Sequence, residues 1–167
     1  MVPSRGAGHI AAAQRQILIA NSNFVPDDNC VDALVAARRR GVQVELIVPG
    51  HHTDTKVTRR ASRSRWGKLL EAGVRIFEYQ PTMYHCKFMV VDDCWSTVGS
   101  TNFDNRSFRL NDEANLNVLD EAFAKNQMAQ FEEDKRRARE VTLQAWQNRP
   151  AQEKVIEWLA GLGRSQM

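Results

Sequence analysis

The sequence predicts an α/β domain, a layered α-β-α sandwich in which helices lie on both faces of a mixed β-sheet. In the first half of the chain, short apolar runs alternate with helical stretches in the order strand, helix, strand, helix, strand. Such alternation is typical of parallel strands joined by crossover helices. Later in the chain, predicted strands follow each other directly, with Asp92-Asp93 suited to a hairpin turn, and this adds antiparallel strands.

Capping and turn residues set the boundaries of the elements in the first half. Asp27 or Asp28 is placed to cap the first helix, because its carboxylate can accept hydrogen bonds from free backbone N–H groups. Gly41 and Gly73 directly follow the two helical stretches, where a glycine commonly ends a helix. The predicted strands are 17–20, 42–48 and 74–79, and the predicted helices are 28–40 and 55–72.

The second half of the chain contains three further predicted strands and then helices. These strands are 85–92, 95–100 and 113–119. From Glu121 onward the pattern is helical, and an apolar stripe of Phe123, Met128 and Phe131 predicts a face buried in the core. Pro150 breaks this region, and a last helix extends to about residue 160.

The composition indicates one domain with an ordinary hydrophobic core. Residues 1–167 have the length of a single domain, and no linker divides them. No run of about 18 apolar residues occurs, so any membrane contact is predicted to be peripheral or to be made by a segment outside this sequence. The three cysteines are an odd number without C-x-x-C spacing, which argues against a disulfide framework or a zinc site and favours a reducing compartment.

A cluster of basic residues lies in the second predicted helix. Six lysines and arginines occur between positions 56 and 68, and no acidic residue interrupts them. One interpretation is a solvated helix face. The other is a surface that contacts anions, such as phospholipid headgroups or nucleic acid. The net charge of +3 does not distinguish the two interpretations.

The strongest chemical signal is His85-Cys86-Lys87 on a predicted strand. Side chains alternate in direction along a strand, so His85 and Lys87 share one face and lie about 7 Å apart. This pair suits a phosphate, because the imidazole can attack phosphorus or donate a proton while the ammonium offsets charge on the oxygens. Asp92 has the opposite parity and is predicted to be a structural acceptor at the strand end.

Polar residues after the next strand offer further phosphate contacts. Gly99 permits close approach of the backbone, and Ser100 and Asn102 offer neutral donors to phosphate oxygens. The hydroxyl of Ser100 has an alternative role, which is to satisfy a turn. The pair His51-His52 is predicted to lie in a loop rather than at a metal site, because adjacent side chains on an extended chain point apart.

The spacing of these residues resembles the signature of the phospholipase D superfamily, the HKD motif. Lys87 is followed by Asp92 and, after six more residues, by Gly99-Ser100-x-Asn102. The chain also resembles the C-terminal half of bacterial cardiolipin synthases over roughly residues 10–160. The segments that carry this likeness include Phe24-Val-Pro-Asp, Ala72-Gly-Val-Arg-Ile-Phe-Glu-Tyr-Gln-Pro, Asn102-Phe-Asp-Asn-Arg-Ser-Phe and Leu110-Asn-Asp-Glu. A phospholipase-D-like fold is therefore implied.

The resemblance implies a phosphatidyltransferase that moves a phosphatidyl group between phosphatidylglycerol molecules, with no cofactor and no metal. In that family, one motif histidine forms a phosphohistidine, and the histidine of a second motif copy protonates the leaving group. An acid downstream of the motif holds the other ring nitrogen of the nucleophile, and Glu113 occupies the matching place. For Arg106 two roles are open: a contact with phosphate or, as we expect, an ion pair with Asp104 or Glu113 that shapes the loop.

The chain departs from the family pattern because it holds one motif where the family's active site uses two. Either two chains pair as a homodimer, or this is the second half of a longer enzyme, which the resemblance favours. In both cases the His85 face is expected at one edge of the domain, beside a surface that meets a second such domain. The implied location is cytoplasmic, peripheral at the inner membrane of a bacterium.

Other functions are compatible with the motif. One is a phosphodiesterase that uses water as the acceptor and acts on phospholipid or nucleic acid, as a single-motif endonuclease does when it works as a homodimer. Another is a catalytically silent half-domain that serves oligomerisation or membrane binding. The motif alone does not choose among them, but the flanking segments favour a lipid substrate over nucleic acid.

Overall fold

The computed structural model describes residues 5–53, 55–104 and 112–162. Within them, a seven-stranded sheet has the strand order β6-β5-β4-β1-β2-β3-β7. Its strands are β1 (Gln16–Asn21), β2 (Gln43–Pro49), β3 (Arg75–Tyr79), β4 (Lys87–Val91), β5 (Trp95–Gly99), β6 (Asn115–Leu119) and β7 (Ala138–Val141). Strands β1, β2 and β3 are parallel, and the other neighbouring pairs are antiparallel. The predicted mixed sheet is confirmed.

The strand directions bring particular chain ends together at one end of the sheet. Strands β1, β2, β3 and β5 terminate there, and β4, β6 and β7 begin there. We call this the site end of the sheet. It is marked by Asn21, Pro49, Tyr79, Lys87, Gly99, Asn115 and Ala138.

Helices cover both faces of the sheet, which confirms the layered α-β-α architecture. They are α1 (Arg5–Ala12), α2 (Asp28–Arg39), α3 (Lys56–Ser64), α4 (Trp66–Glu71), α5 (Glu121–Arg136), α6 (Leu143–Gln147) and α7 (Ala151–Leu162). Asp27 caps α2 by accepting a hydrogen bond from the Cys30 N–H at 2.8 Å, as predicted. None of the helices among the described residues is long and apolar enough to cross a bilayer.

The core has two layers, one on each face of the sheet, because buried side chains alternate along the central strands. Ile17 and Ile19 of β1 face the layer that contains Trp66 of α4, whereas Leu18 faces the layer that contains Phe131 of α5. Of the predicted apolar stripe on α5, Phe131 is fully buried and Met128 packs against the same layer, while Phe123 is half-buried.

One edge of the sheet differs from the sequence prediction, whereas the other edge is β6, the strand predicted at 113–119. The charged stretch after residue 132 was predicted to stay helical, but α5 ends at Arg136 and β7 follows as an edge strand. Its charges pair with β3, where Glu140 accepts from Arg75 at 2.9 Å, so a polar sequence is stabilised as a strand. At the other edge, β6 exposes 64% of Leu116 and 79% of Leu119.

The second predicted helix is interrupted at Arg65, between α3 and α4. The Arg65 N–H donates to the Ser62 carbonyl at 2.9 Å, an i to i−3 bond that tightens the last turn of α3. Neither interpretation of the basic cluster holds for all six residues. Arg59, Arg63 and Arg65 form ion pairs with Glu78, Glu157 and Asp28. The remaining three, Lys56, Arg60 and Lys68, are exposed.

Candidate active site

The fold gathers the predicted site residues at the site end of the sheet. His85 lies two residues before β4, and Lys87 is the first residue of this strand. Gly99 ends β5, which pairs with β4, and Ser100 and Asn102 follow it. Glu113 lies two residues before β6, which pairs with β5. Segments far apart in the chain therefore meet on three neighbouring strands.

His85 lies just outside the strand on which the sequence placed it, and its side chain is exposed. The Nζ atom of Lys87 lies 3.1 Å from Nε2 of His85 and 3.5 Å from Nδ1. The ring of His85 and the ammonium of Lys87 are closer than the roughly 7 Å that separates alternate residues in an ideal strand. The reason is that His85 lies outside the strand and the lysine side chain is long. Since an ammonium only donates, this contact gives the ring nitrogen the role of acceptor.

Asn102 is held by residues at the carboxyl end of β1. The Ser22 hydroxyl donates to Oδ1 of Asn102 at 2.8 Å, so the NH₂ group of Asn102 is the part that can donate to a phosphate. The Asn21 side-chain oxygen accepts from the backbone N–H groups of Asn23 at 3.1 Å and Phe103 at 3.3 Å. The sequence analysis missed Asn21 and Ser22; a polar pair directly after a buried strand was the available signal.

Ser100 and Gly99 bring the β5 and β6 segments close together. The Ser100 hydroxyl oxygen accepts from the Ala114 N–H at 3.0 Å, and the Ser100 N–H donates to the Ala114 carbonyl at 3.0 Å. A Cβ atom at Gly99 would collide with the Ala114 carbonyl oxygen and with Asn115. The hydroxyl of Ser100 therefore satisfies a backbone group in a loop, which is the alternative role given for it from the sequence. This contact holds the segment that leads into β6, which contains the half-buried Glu113.

Asp92 lies at the opposite end of the sheet from His85, in the turn between β4 and β5. Its carboxylate accepts from the backbone N–H groups of Gln14 at 2.8 Å, Arg15 at 2.7 Å and Gln16 at 3.1 Å. Partial burial raises the pKa of Asp92, but these N–H donors outweigh it and hold the pKa below its ordinary value. The contacts of Asp92 tie the turn to the start of β1.

The remaining candidates lie near the site end or outside the described residues. His51 and His52 are exposed in the loop after β2, as predicted from the sequence. Across the three described ranges, no cluster of three or more His, Cys, Asp and Glu side chains is placed to hold a metal ion. Arg106, expected to pair with Asp104 or Glu113, lies outside the described residues.

Solved structures share this fold. The crystal structure of a phospholipase D family member, Nuc from Salmonella typhimurium, superimposes with a TM-score of 0.72 at 20% identity, covering 81% of this chain and 88% of that one. The crystal structure of phosphatidylserine synthase from Haemophilus influenzae gives a TM-score of 0.71 at 16% identity, covering 96% and 44%. At these identities the likeness concerns the fold.

Sequence relatives are named as cardiolipin synthases. The minor cardiolipin synthase ClsB of Bacillus subtilis is 34% identical over 151 residues, which are 90% of this chain and 38% of that protein. A cardiolipin synthase from a Geobacillus species is 39% identical over 153 residues, or 92% and 30%. This chain therefore spans less than half of the length of the relatives it matches.

The family described as "Cardiolipin synthase, PLD-like domain" matches residues 7–135, which is most of the chain. This match contains the strands β1 to β6 and the whole HKD motif. The resemblance drawn from the motif and its flanking segments is confirmed at the level of the family. The chain belongs to the phospholipase-D-like domain family of cardiolipin synthases.

Proposed function

We propose that this domain supplies one half of a phosphatidyltransferase site that makes cardiolipin from two phosphatidylglycerol molecules. The observation that carries the proposal is the exposed His85–Lys87 pair, with ring and ammonium 3.1 Å apart at the site end of the sheet. The cardiolipin synthase names of the relatives support phosphatidylglycerol as the substrate. Residues 1–167 are proposed to act as a single domain.

In the proposed first step, the acceptor nitrogen of His85 attacks phosphorus. The bond from phosphorus to the oxygen of the headgroup glycerol breaks, and this glycerol leaves. Lys87 then exchanges its contact with the ring for the non-bridging phosphate oxygens, whose charge it offsets. The NH₂ group of Asn102, held in place by Ser22, donates to the same oxygens. Glu113 is proposed to accept from the other ring nitrogen and so stabilise the positive charge that develops on the ring.

A second imidazole is needed, because the attacking nitrogen and the departing oxygen lie on opposite sides of phosphorus. Of the four histidines, only His85 has a lysine two residues later. We therefore propose that a second HKD half, in another chain or in the same one, protonates the departing glycerol oxygen. That histidine then takes the proton from the hydroxyl of the second phosphatidylglycerol as it attacks the phosphohistidine, which releases His85 and completes cardiolipin.

The two halves are proposed to meet beside β6. This strand lies next to the motif strands, and its Leu116 and Leu119 are 64% and 79% exposed. An exposed edge strand with large apolar side chains is suited to pairing with another domain. A homodimer of this chain would place two His85 side chains around one phosphate. Peripheral contact with the inner face of a bacterial membrane belongs to the same proposal.

Product analysis tests the proposed function. The chain, with its oligomeric state measured by light scattering, is incubated with phosphatidylglycerol vesicles and, separately, with plasmid DNA. We expect equal molar amounts of cardiolipin and glycerol from the vesicles and intact DNA. Phosphatidic acid as the lipid product, or cleaved DNA with unchanged lipid, would identify a phosphodiesterase instead. A stable monomer that converts neither substrate would support a catalytically silent half-domain.

We expect chelation to leave the activity unchanged. In the proposed steps, Lys87 and Asn102 provide the positive charge and donors for the phosphate oxygens, and the histidines move the protons. A divalent ion has no task in this scheme. The measurement is the initial rate of cardiolipin formation with and without EDTA. A rate that falls on chelation and recovers with added magnesium or calcium would contradict the prediction.

A further inference from the structure

Helix α7 is attached to the domain through its acidic side. Glu157 is buried, and its carboxylate accepts from Nε of Arg63 at 2.5 Å and from Nε of Arg149 at 2.7 Å. Gly161, one turn later, packs so closely on α3 that a Cβ atom there would lie 2.8 Å from the Ser64 hydroxyl. The side of α7 that carries Glu157 and Gly161 therefore faces α3 and is fixed by ion pairs and close packing.

The opposite side of α7 is apolar and exposed. Val155, Trp158 and Leu159 expose 57%, 62% and 54% of their surfaces, and their i, i+3, i+4 spacing places them on one face. A surface helix normally turns its apolar face inward, and α7 does the reverse. We call these three residues, together with exposed Ile156, the α7 patch.

Exposed cations occur on both helices of the packed pair. They are Lys154 of α7 and Lys56 and Arg60 of α3, which packs along α7. Of the acids of α7, Glu157 is buried against Arg63, and Glu153, which is 54% exposed, lies 3.6 Å from the same arginine. The helix pair thus combines the apolar α7 patch with exposed cations. It is complementary to a partner that is apolar inside and anionic at its surface.

An anionic phospholipid bilayer has this chemistry. Helices that lie in the bilayer interface bury tryptophan and leucine among the acyl chains and keep lysine and arginine at the headgroups. Tryptophan is suited to this boundary because its ring is apolar while its N–H remains a donor. The position is also suitable, because α3 begins after the loop that leaves the site end of β2.

We propose that the α7 patch docks this domain on the surface of an anionic bilayer. The proposal rests on the proposed function only for the choice of phospholipid as the partner, and it deepens that function by naming the surface that meets the membrane. A bilayer bound at α7 would hold the domain at the surface that contains the proposed lipid substrate.

Cosedimentation with vesicles tests the proposal without any catalytic readout. The full chain is mixed with vesicles of phosphatidylcholine alone or with added phosphatidylglycerol. We expect binding to the anionic vesicles that the double variant Trp158→Ser, Leu159→Ser weakens about tenfold or more. Replacing Lys56 and Arg60 by glutamine should weaken it by about fivefold per residue. The matched control replaces Lys125 and Arg136 of α5 by glutamine. These exposed cations lie on the other face of the sheet, and this variant should bind as the parent does.

Fluorescence gives a second readout of the same contact. Addition of anionic vesicles should shift the tryptophan emission to shorter wavelength, and Trp158→Phe should keep the binding but lose the shift. Patch variants that bind like the parent, or an α5 control that weakens binding as strongly, would overturn the proposal. The proposal would also fail if the parent is a dimer, the patch variant is a monomer and both bind vesicles equally, because the patch would then be a protein interface. Vesicle binding by a homodimer that shows no transferase activity would refute the proposed function alone.

Discussion

Replacing His85 by asparagine should lower the rate of phosphatidyl transfer by about 100-fold or more, because the variant has no ring nitrogen to attack phosphorus or carry a proton. The fold should be unaffected, since His85 is exposed and its side-chain contact is with Lys87. The measurement is the initial rate of cardiolipin formation by the assembled enzyme, together with the midpoint of thermal unfolding of parent and variant.

The matched control is His51→Asn. His51 is also an exposed histidine at the site end of the sheet, but it is followed two residues later by Thr53 rather than by lysine. We expect its activity to stay within about twofold of the parent, because a surface substitution away from reacting groups has small effects. An activity of His85→Asn above about a tenth of the parent, with normal stability, would exclude His85 as nucleophile or acid.

The order and direction of the first three strands could be predicted because local signals agree there with the global fold. Apolar runs of strand length alternate with helices that end at Gly41 and Gly73, and these glycines have φ values of 93° and 84°. The turn at Asp92-Asp93 was equally recognisable, and both residues have positive φ. Because β4 and β6 run opposite to β5, the end of β5 and the beginnings of β4 and β6 lie at the same end of the sheet.

The edge strand β7 and the buried charges could not be predicted, because their partners are distant in the sequence. In β7, Glu140 pairs with Arg75 of β3, which lies 65 residues earlier. Arg63 is buried between Glu78 and Glu157, and Glu157 lies 94 residues later. In the site itself, Ser22 holds Asn102 from 80 residues away. Pattern and propensity describe local segments, whereas these contacts depend on tertiary packing.

A large loss of stability is expected for Glu78→Gln. The Glu78 side chain is fully buried on β3 and forms ion pairs with Arg59, with Arg63 at 3.2 Å and with Arg139 at 2.8 Å. The amide keeps the shape but removes the charge. The mostly buried guanidinium of Arg59 then loses this partner, and that of Arg63 is left with Glu157 and Glu153. Removing one member of a buried ion pair costs about 3–5 kcal/mol of unfolding free energy. For a chain of this size, that lowers the unfolding midpoint by roughly 6–20 °C.

The effect of Glu78→Gln should depend on pH. Burial raises the pKa of Glu78, but Arg59, Arg139 and Arg63 outweigh burial and hold the pKa below its ordinary value of 4.5. A carboxyl whose pKa is lowered by folding stabilises the protein fully above its unfolded pKa and loses that contribution as pH falls through its folded pKa. The difference in unfolding free energy between parent and variant should therefore be constant near neutral pH and narrow below about pH 4.5.

Urea unfolding at pH 7 and at pH 4 measures both effects, with Glu140→Gln as the matched control. Glu140 also pairs with an arginine, Arg75 at 2.9 Å, but its side chain is 41% exposed. Water solvates both partners of that pair, so the same substitution should cost at most about 1 kcal/mol. Equal losses of unfolding free energy in the two variants would mean that the buried carboxylate of Glu78 stabilises the fold no more than the exposed carboxylate of Glu140. A cost for Glu78→Gln that does not fall on acidification would show that packing, rather than the charge of Glu78, holds α3 against β3.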